Sequence, residues 1–236
     1  MKAIILAAGK GTRLRPLTYS IPKCMVPIAG KPILHYTLMN MARHGITDVV
    51  LTTGYLAYQI QYYFSEGSEY GLNILYTKEK ELLGTAGGIK RIENFFNDDF
   101  FLIYGDNFTT VDITAMRAFH EKHGGVATVG LYREEKYPEQ KGNVELNGSR
   151  LLKFVEKPSV AFSTWVNAAT FILKPEIFKY IPHGKYFDFS IDLIPMLLEK
   201  GIPMHCFMID YLKDIGLPDV YNEAQEDVKN GMVKFQ

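Results

Sequence analysis

The run Lys2-Ala3-Ile4-Ile5-Leu6-Ala7-Ala8-Gly9-Lys10-Gly11-Thr12-Arg13-Leu14-Arg15-Pro16-Leu17-Thr18 decides the fold class. Residues 2–7 are almost all apolar and far too few to cross a bilayer, so they read as a buried strand. A secretory leader would need a longer apolar stretch, and here a glycine-rich cationic segment follows at once. Two glycines directly after a buried strand let the backbone approach a ligand and turn N–H groups toward phosphate oxygens. Two arginines, Lys10 and, after Pro22, Lys23 supply the positive charge a polyphosphate needs. The dinucleotide fingerprint G-x-G-x-x-G finds Gly9 and Gly11 but meets Leu14 in place of its third glycine. The P-loop pattern fails as well, with Ile4 where its first glycine belongs. For an isolated G-x-G, a basic surface turn is the plain alternative.

Working outward, the first half alternates strand and helix. Pro32 opens a helix, Leu34, Leu38 and Met41 recur at helical spacing, and Gly45 closes it. Strands are predicted at 48–53, 72–77 and 100–104, and further helices at 56–65 and 86–96. The last of these strands ends in Gly105-Asp106. Such alternation implies parallel strands with right-handed crossovers, helices on both faces and ligands at the strand C-terminal ends. The second half is less regular. Helices are predicted near 112–123, 175–180, 189–199 (bending or breaking at Pro195) and 218–229. Strands are predicted at 126–132, 142–146, 150–155, 166–173 and 203–209, with Asn147-Gly148 as a hairpin signal. One domain over residues 1–236 is expected.

Composition narrows the function classes. Lys plus Arg equals Asp plus Glu at 26 each, so no global field argues for nucleic acid, and an anionic ligand must be held by local groups. No apolar stretch approaches membrane-spanning length, so no membrane partner is expected. Cys24 and Cys206 are too few for a disulfide scaffold or a metal knuckle, which fits a reducing cytoplasm. The histidines carry no pattern, and His120 and His123 are expected on the solvated face of a helix.

The run L-A-A-G-K-G-T-R-L-R-P-L-T, then P-K, resembles the signature of the sugar-1-phosphate nucleotidylyltransferases. That family includes mannose- and heptose-1-phosphate guanylyltransferases and glucose-1-phosphate thymidylyl- and uridylyltransferases. Later segments match in order: Leu83-Gly84-Thr85-Ala86-Gly87-Gly88, Gly105-Asp106, Phe154 to Pro158, Asn167-Ala168-Ala169 and Asp214 to Pro218. Two departures stand out: Cys24 where many relatives have proline, and Ala8 where some have a glycine that approaches the base. The resemblance implies a three-layer, Rossmann-like α/β fold with a mixed, mostly parallel central sheet and a hairpin-rich sugar-side lobe. About 1–110 would form the nucleotide-binding half and about 111–236 the sugar-phosphate half. It also implies a short form without the left-handed β-helix domain of longer relatives, and leaves a homodimer open.

The reaction so implied joins a nucleoside triphosphate to a sugar 1-phosphate and releases pyrophosphate. Two polyanions meet, so positioning and charge neutralisation should dominate. Magnesium prefers carboxylate oxygens plus substrate phosphates. Asp106 fits as the strand-end carboxylate, and the resemblance supplies Asp214 as the second. A lone strand-end Asp is more often a turn residue or cap. Arg13 and Lys23 are assigned to the triphosphate and, with Asp106, to catalysis. Leu6, Ala8, Gly9, Gly11, Thr12, Gly84 and Thr85 complete the nucleotide side. The resemblance makes Lys157 the holder of the sugar 1-phosphate, and Glu156, Gly142 and Asn167 sugar contacts. Taken alone, Glu156-Lys157 is a solvated charge pair.

Glu79 stands where relatives read the base edge. An ionised carboxylate only accepts hydrogen bonds, so it suits guanine, uracil or thymine, which carry a ring N–H. The alternative is that Glu79 is one of four alternating charges in Lys78-Glu79-Lys80-Glu81. Leu83 to Gly87 resembles guanylyltransferases, which favours GTP with mannose or heptose 1-phosphate over UTP or dTTP with glucose 1-phosphate. Two rival classes remain. A nicotinamide oxidoreductase is opposed by Leu14 and by Thr52-Thr53-Gly54, where an acidic residue should end the second strand. An inactive sugar-nucleotide-binding subunit is opposed by intact Arg13, Lys23, Asp106, Lys157 and Asp214.

Overall fold

The structure is a computed structural model that describes residues 1–78 and 83–233. Glu79, the expected base reader, lies outside the described residues. In chain order the elements are β1 (Lys2–Ala7), β2 (Pro27–Ile28), β3 (Lys31–Pro32), α1 (Ile33–Arg43), β4 (Asp48–Thr53), α2 (Ala57–Phe64) and β5 (Asn73–Lys78). Then come α3 (Gly84–Lys90), β6 (Phe100–Tyr104), β7 (Asn107–Thr109), α4 (Ile113–His123) and β8 (Ala127–Arg133). The remainder is β9 (Gly142–Asn147), β10 (Arg150–Glu156), β11 (Trp165–Leu173), α5 (Ile194–Glu199), β12 (Met204–Met208), β13 (Leu212–Asp214) and α6 (Pro218–Lys229). The described residues group into two compact units: 1–78, 103–112 and 210–233 form the first, and 83–102 and 113–209 the second.

The first unit is built on parallel pairing of β1 with β4 and of β4 with β5. Ala3, Ile4 and Ile5 are wholly buried, which is why β1 reads as a continuous apolar run rather than an alternation. Helix α1 buries Ile33, Leu34, Leu38 and Met41. It closes as the sequence predicts: Gly45 takes φ +73°, its N–H donates to Ala42 O, and Ile46 N–H reaches back to Met41 O. Two three-residue strands escape prediction. Strands β7 and β13 pair antiparallel, matching Asp214 with Asn107. An apolar cluster of Leu14, Val26, Ile28, Ile33, Tyr36, Phe108, Ile215, Ala224 and Val233 takes residues from both this ribbon and the glycine loop.

The second unit is richer in antiparallel pairing. Strand β8 runs parallel to β12 and antiparallel to β11, while β10 pairs antiparallel with β9 and β12. The chain is therefore α/β with a mixed set of strands, as expected. The β9–β10 hairpin pairs Asn147 with Arg150, so its turn is Gly148-Ser149, one residue later than the Asn-Gly signal, with Gly148 at φ +58°. Helix α3 is shorter than expected and gives way to a single 3₁₀ turn at Glu93–Phe95. The helix expected at 189–199 begins as a π-helical turn, Phe189–Leu193, before α5. Pro195 has no N–H to donate, so the ladder reorganises just upstream and Leu193 N–H bonds Asp188 O.

One expectation is corrected. His120 is not on a solvated face: it is 1% exposed, because Ile113, Met116 and His120 share the buried stripe of α4 at i, i+3 and i+7. His123 is half-buried and stacks on Phe119 at 4.0 Å.

Candidate active site

In the first unit the structure gathers the predicted cations and carboxylates. Lys23 Nζ donates to Asp106 Oδ2 and lies 3.5 Å from Asp214 Oδ1. Burial of Lys23 opposes its charge, but the two carboxylates outweigh it and hold the ammonium above the usual lysine range. Arg13 joins the same group. A Cβ added at Gly216 would lie 3.0 Å from Arg13 Nη2 and 3.4 Å from Asp214 Oδ1, so glycine lets the guanidinium pass close to the chain there.

Each of these polar residues is positioned by an apolar neighbour in the cluster described above. Leu14 follows Arg13, Val26 follows Lys23 by three, Phe108 follows Asp106 by two, and Ile215 follows Asp214. Leu14, which breaks the dinucleotide fingerprint, is 1% exposed and anchors the loop from below. Asp214 reaches Asp106 through the β7–β13 ribbon, and Ile215 N–H seals the turn by donating to Asp106 O at 3.1 Å.

The glycine loop is shaped for an anion. Gly11 has φ +61°, and a Cβ there would meet Lys23 Cβ at 2.8 Å, so the lysine stem and the loop are packed against each other. Thr18 Oγ1 donates to Gly11 O at 2.7 Å and fixes the loop from the far side. Among the described residues, the backbone N–H groups of Lys10, Gly11, Thr12 and Arg13 have no hydrogen-bond partner. Leu6 lies near the end of β1 and Ala8 just beyond it: Leu6 O accepts from Gly105 N–H at 2.9 Å, and Ala8 O accepts from Tyr55 N–H at 3.5 Å. Gly9 is exposed, with nothing within 4 Å of an added Cβ.

The second unit holds the remaining candidates. Gly142 faces Glu156 across the β9–β10 pair, and a Cβ on it would lie 2.5 Å from Phe154 Cζ and 2.8 Å from Glu156 Oε2. Burial pushes the Glu156 carboxyl up, with Lys157 pulling it down and Asp188 adding to the rise. Lys157 takes φ +47° and sends an exposed Nζ to within 3.6 Å of Glu156 Oε1. Asn167 sits where β11 bulges against β8, its Oδ1 accepting from Ala169 N–H at 2.9 Å. Gly84 and Thr85 open α3. Here the N–H groups of Ala86 and Gly87 are already committed to Phe187 O at 3.0 and 2.9 Å. These two N–H groups of the second glycine run therefore serve packing against Phe187.

A family model described as Nucleotidyl transferase matches residues 2–231. The chain belongs to the nucleotidyl transferase family. It is similar to a UTP–glucose-1-phosphate uridylyltransferase of Synechocystis sp., at 36% identity over 99% of this chain and 65% of that protein. It is also similar to the D-glycero-alpha-D-manno-heptose 1-phosphate guanylyltransferase of Aneurinibacillus thermoaerophilus, at 34% identity over 98% and 99% of the two chains. The crystal structure of HddC from Yersinia pseudotuberculosis complexed with GMP-PN superposes with a TM-score of 0.80 at 27% identity, covering 96% of this chain and 99% of that one. The chain thus spans about two thirds of the Synechocystis relative (65%) and nearly all of the Aneurinibacillus one.

Among the described residues no group of three or more His, Cys, Asp or Glu converges. Two carboxylates do converge on one cation, the Lys23 ammonium, which marks where positive charge is favoured between them. Two carboxylates suit magnesium, which completes its sphere with phosphate oxygens and water. Cysteine chemistry is absent from the group: burial pushes the Cys24 thiol up to about 12, and Asp106 adds to that, leaving it inert at neutral pH. Sequence reasoning missed the supporting residues Gly216, Thr18, Asp188 and Ser190. Thr18 and Gly216 lay inside the matched segments without a role of their own, and Asp188 and Ser190 carried no signal.

Proposed function

We propose that this chain transfers a nucleoside monophosphate from a nucleoside triphosphate to a sugar 1-phosphate, giving a nucleoside diphosphate sugar and pyrophosphate. The observation that carries this reading is the convergence of Lys23, Asp106, Asp214 and Arg13 beside a loop with unpaired backbone N–H groups. The ionised sugar phosphate is itself the nucleophile. Its oxygen forms the new bond to the α-phosphorus, the bond from that phosphorus to the bridging oxygen breaks, and pyrophosphate leaves with the electron pair. No side chain needs to remove a proton. Lys23 and the loop N–H groups orient the triphosphate, and Arg13 offsets charge gathering on the leaving pyrophosphate. Asp106 and Asp214 would hold magnesium, which when bound neutralises charge on the reacting phosphates. Lys157 binds the sugar 1-phosphate, with Glu156, Gly142 and Asn167 as sugar contacts.

GTP with a mannose or heptose 1-phosphate is the favoured pair, supported by the likeness to the Aneurinibacillus guanylyltransferase over nearly the whole of both chains. A second reading, UTP or dTTP with glucose 1-phosphate, is favoured by the higher identity to the Synechocystis uridylyltransferase. Two free cysteines agree with a cytoplasmic site of action. The test is pyrophosphate release from GTP, UTP, dTTP and CTP, each paired with mannose, heptose and glucose 1-phosphates, with and without magnesium. GTP is expected to lead, and chelation to abolish release. Release from no pair would overturn the transferase reading, and a lead by UTP or dTTP would replace GTP.

A further inference from the structure

The second unit contains a carboxylate that the reaction leaves unexplained. Asp188 is half-buried and precedes the π-helical turn. Its Oδ1 accepts from Ser190 N–H at 2.8 Å and Ile191 N–H at 3.2 Å, which is an ordinary N-cap. Its Oδ2 does something a cap does not require: it accepts from the Thr85 hydroxyl at 2.8 Å. Thr85 Oγ1 in turn accepts from Phe189 N–H at 2.9 Å. On the other side Ser190 Oγ accepts from Asn167 Nδ2 at 3.3 Å. Thr85 and Asp188 are thus linked by one hydrogen bond, Asp188 holds the Ser190 backbone by another, and the Ser190 side chain carries the connection on to Asn167.

Donor and acceptor roles along this path are forced. An ionised carboxylate only accepts, so the Thr85 hydroxyl must donate to it and can offer a ligand only a lone pair. Ala169 N–H can meet only an oxygen, so Asn167 has its Oδ1 turned that way. One Nδ2 hydrogen goes to Ser190, leaving the other for a ligand. The negative charge of Asp188 is also felt at Glu156, whose carboxyl it helps hold above the ordinary range after burial.

We propose that Asp188 is a positioning residue that couples the two substrates, ordering Thr85 on the nucleotide side and, through Ser190, Asn167 on the sugar side. Whichever substrate arrives first fixes the shared rotamers, so the second binds to an ordered partner without that entropic cost. The inference rests on the transferase reading and goes beyond it by naming Asp188 and Ser190 and predicting reciprocal dependence.

The test is two-substrate steady-state kinetics on the full chain. Thr85→Val, a change on the nucleotide side, is expected to raise KM for the sugar 1-phosphate by roughly three- to tenfold, the worth of one hydrogen bond. Ser190→Ala, a change on the sugar side, should raise KM for the triphosphate by a similar factor, the double variant should be no worse than the larger single for either substrate, and Thr85→Ser should restore the wild-type value. Asp188→Asn keeps the capping oxygen, can place an amide against Thr85, and should match Thr85→Val. If its unfolding midpoint drops, the hydroxyl variants carry the test alone. An effect of Thr85→Val confined to the triphosphate KM, or effects that multiply in the double variant, would overturn the coupling. Wild-type protein that releases no pyrophosphate with any pair sinks the transferase reading instead, and this inference with it.

Discussion

Asp106 is one of two carboxylates on Lys23, and the two are not equivalent: Asp106 receives the lysine's hydrogen bond, while Asp214 lies 3.5 Å away. Asp106→Asn keeps the shape and one acceptor oxygen but removes the charge, so the apolar cluster beneath should hold the loop in place. Turnover is expected to fall by about 10²- to 10³-fold, the scale seen when one preorganised charge-stabilising group is lost. The unfolding transition should stay cooperative. Pyrophosphate release at saturating substrates measures the first, and thermal unfolding the second. Near-normal turnover would remove Asp106 from the mechanism. Asp106 could be found from sequence because a carboxylate ending an apolar strand is a local pattern. Asp214 could not be placed by the same reasoning, because its meeting with Asp106 depends on two three-residue strands that pair across about a hundred intervening positions. Strands so short have no periodicity to read.

The two glycine runs look alike in sequence and behave differently as elements. After β1 the N–H groups of Lys10 to Arg13 are unpaired among the described residues, whereas in α3 those of Ala86 and Gly87 are bonded to Phe187 O. A paired substitution separates the roles. Gly84 has φ +74°, and an added Cβ would lie 2.5 Å from Phe187 O, so Gly84→Ala should destabilise the protein by roughly 1–3 kcal/mol. In a chain of this size that lowers Tm by about 2–4 °C for each kcal/mol. Gly9→Ala meets nothing within 4 Å and should stay within about 0.5 kcal/mol of wild type, any effect falling on the triphosphate KM. Differential scanning calorimetry of the two variants decides it, and equal Tm shifts would show that both glycines serve packing alike. The longer elements, β1, α1, β4, β6 and α6, were legible because each carries its own apolar pattern and end signals. The second half was legible as elements but not as a pairing order. The π-helical turn before α5 was visible only as a proline, because Pro195 says that the ladder must break and not how.

At the scale of the whole molecule, equal numbers of cationic and anionic residues leave the histidines to set the response to mild acid. Burial lowers the pKa of His35, His120 and His205, helped at His35 by Lys31 and at His205 by His123 and Arg150. His120 is fully buried: its Nδ1 meets Thr128 Oγ1 at 2.7 Å inside the second unit, and burial outweighs the upward pull of Asp99, 3.3 Å away. The direction of the pH effect follows from which state takes the proton first. A histidine whose folded pKa is depressed is neutral in both states above about pH 6.5, so its contribution is fully present there. As pH falls below that value the unfolded chain binds a proton that the folded chain refuses, and stability is lost, at most about 1.4 kcal/mol per pH unit for one histidine. Glu156 acts in the opposite sense, because a carboxyl raised in the folded state is relieved by protonation, but its window lies nearer the carboxylate range. Urea unfolding should therefore give a flat free energy from pH 8 to 7 and a decline from about pH 6.5 toward 5. His120→Gln, which cannot titrate, should flatten that decline even if it lowers stability throughout. A His120→Gln slope equal to that of the wild type between pH 6.5 and 5 would show that the buried imidazole takes its proton as readily folded as unfolded.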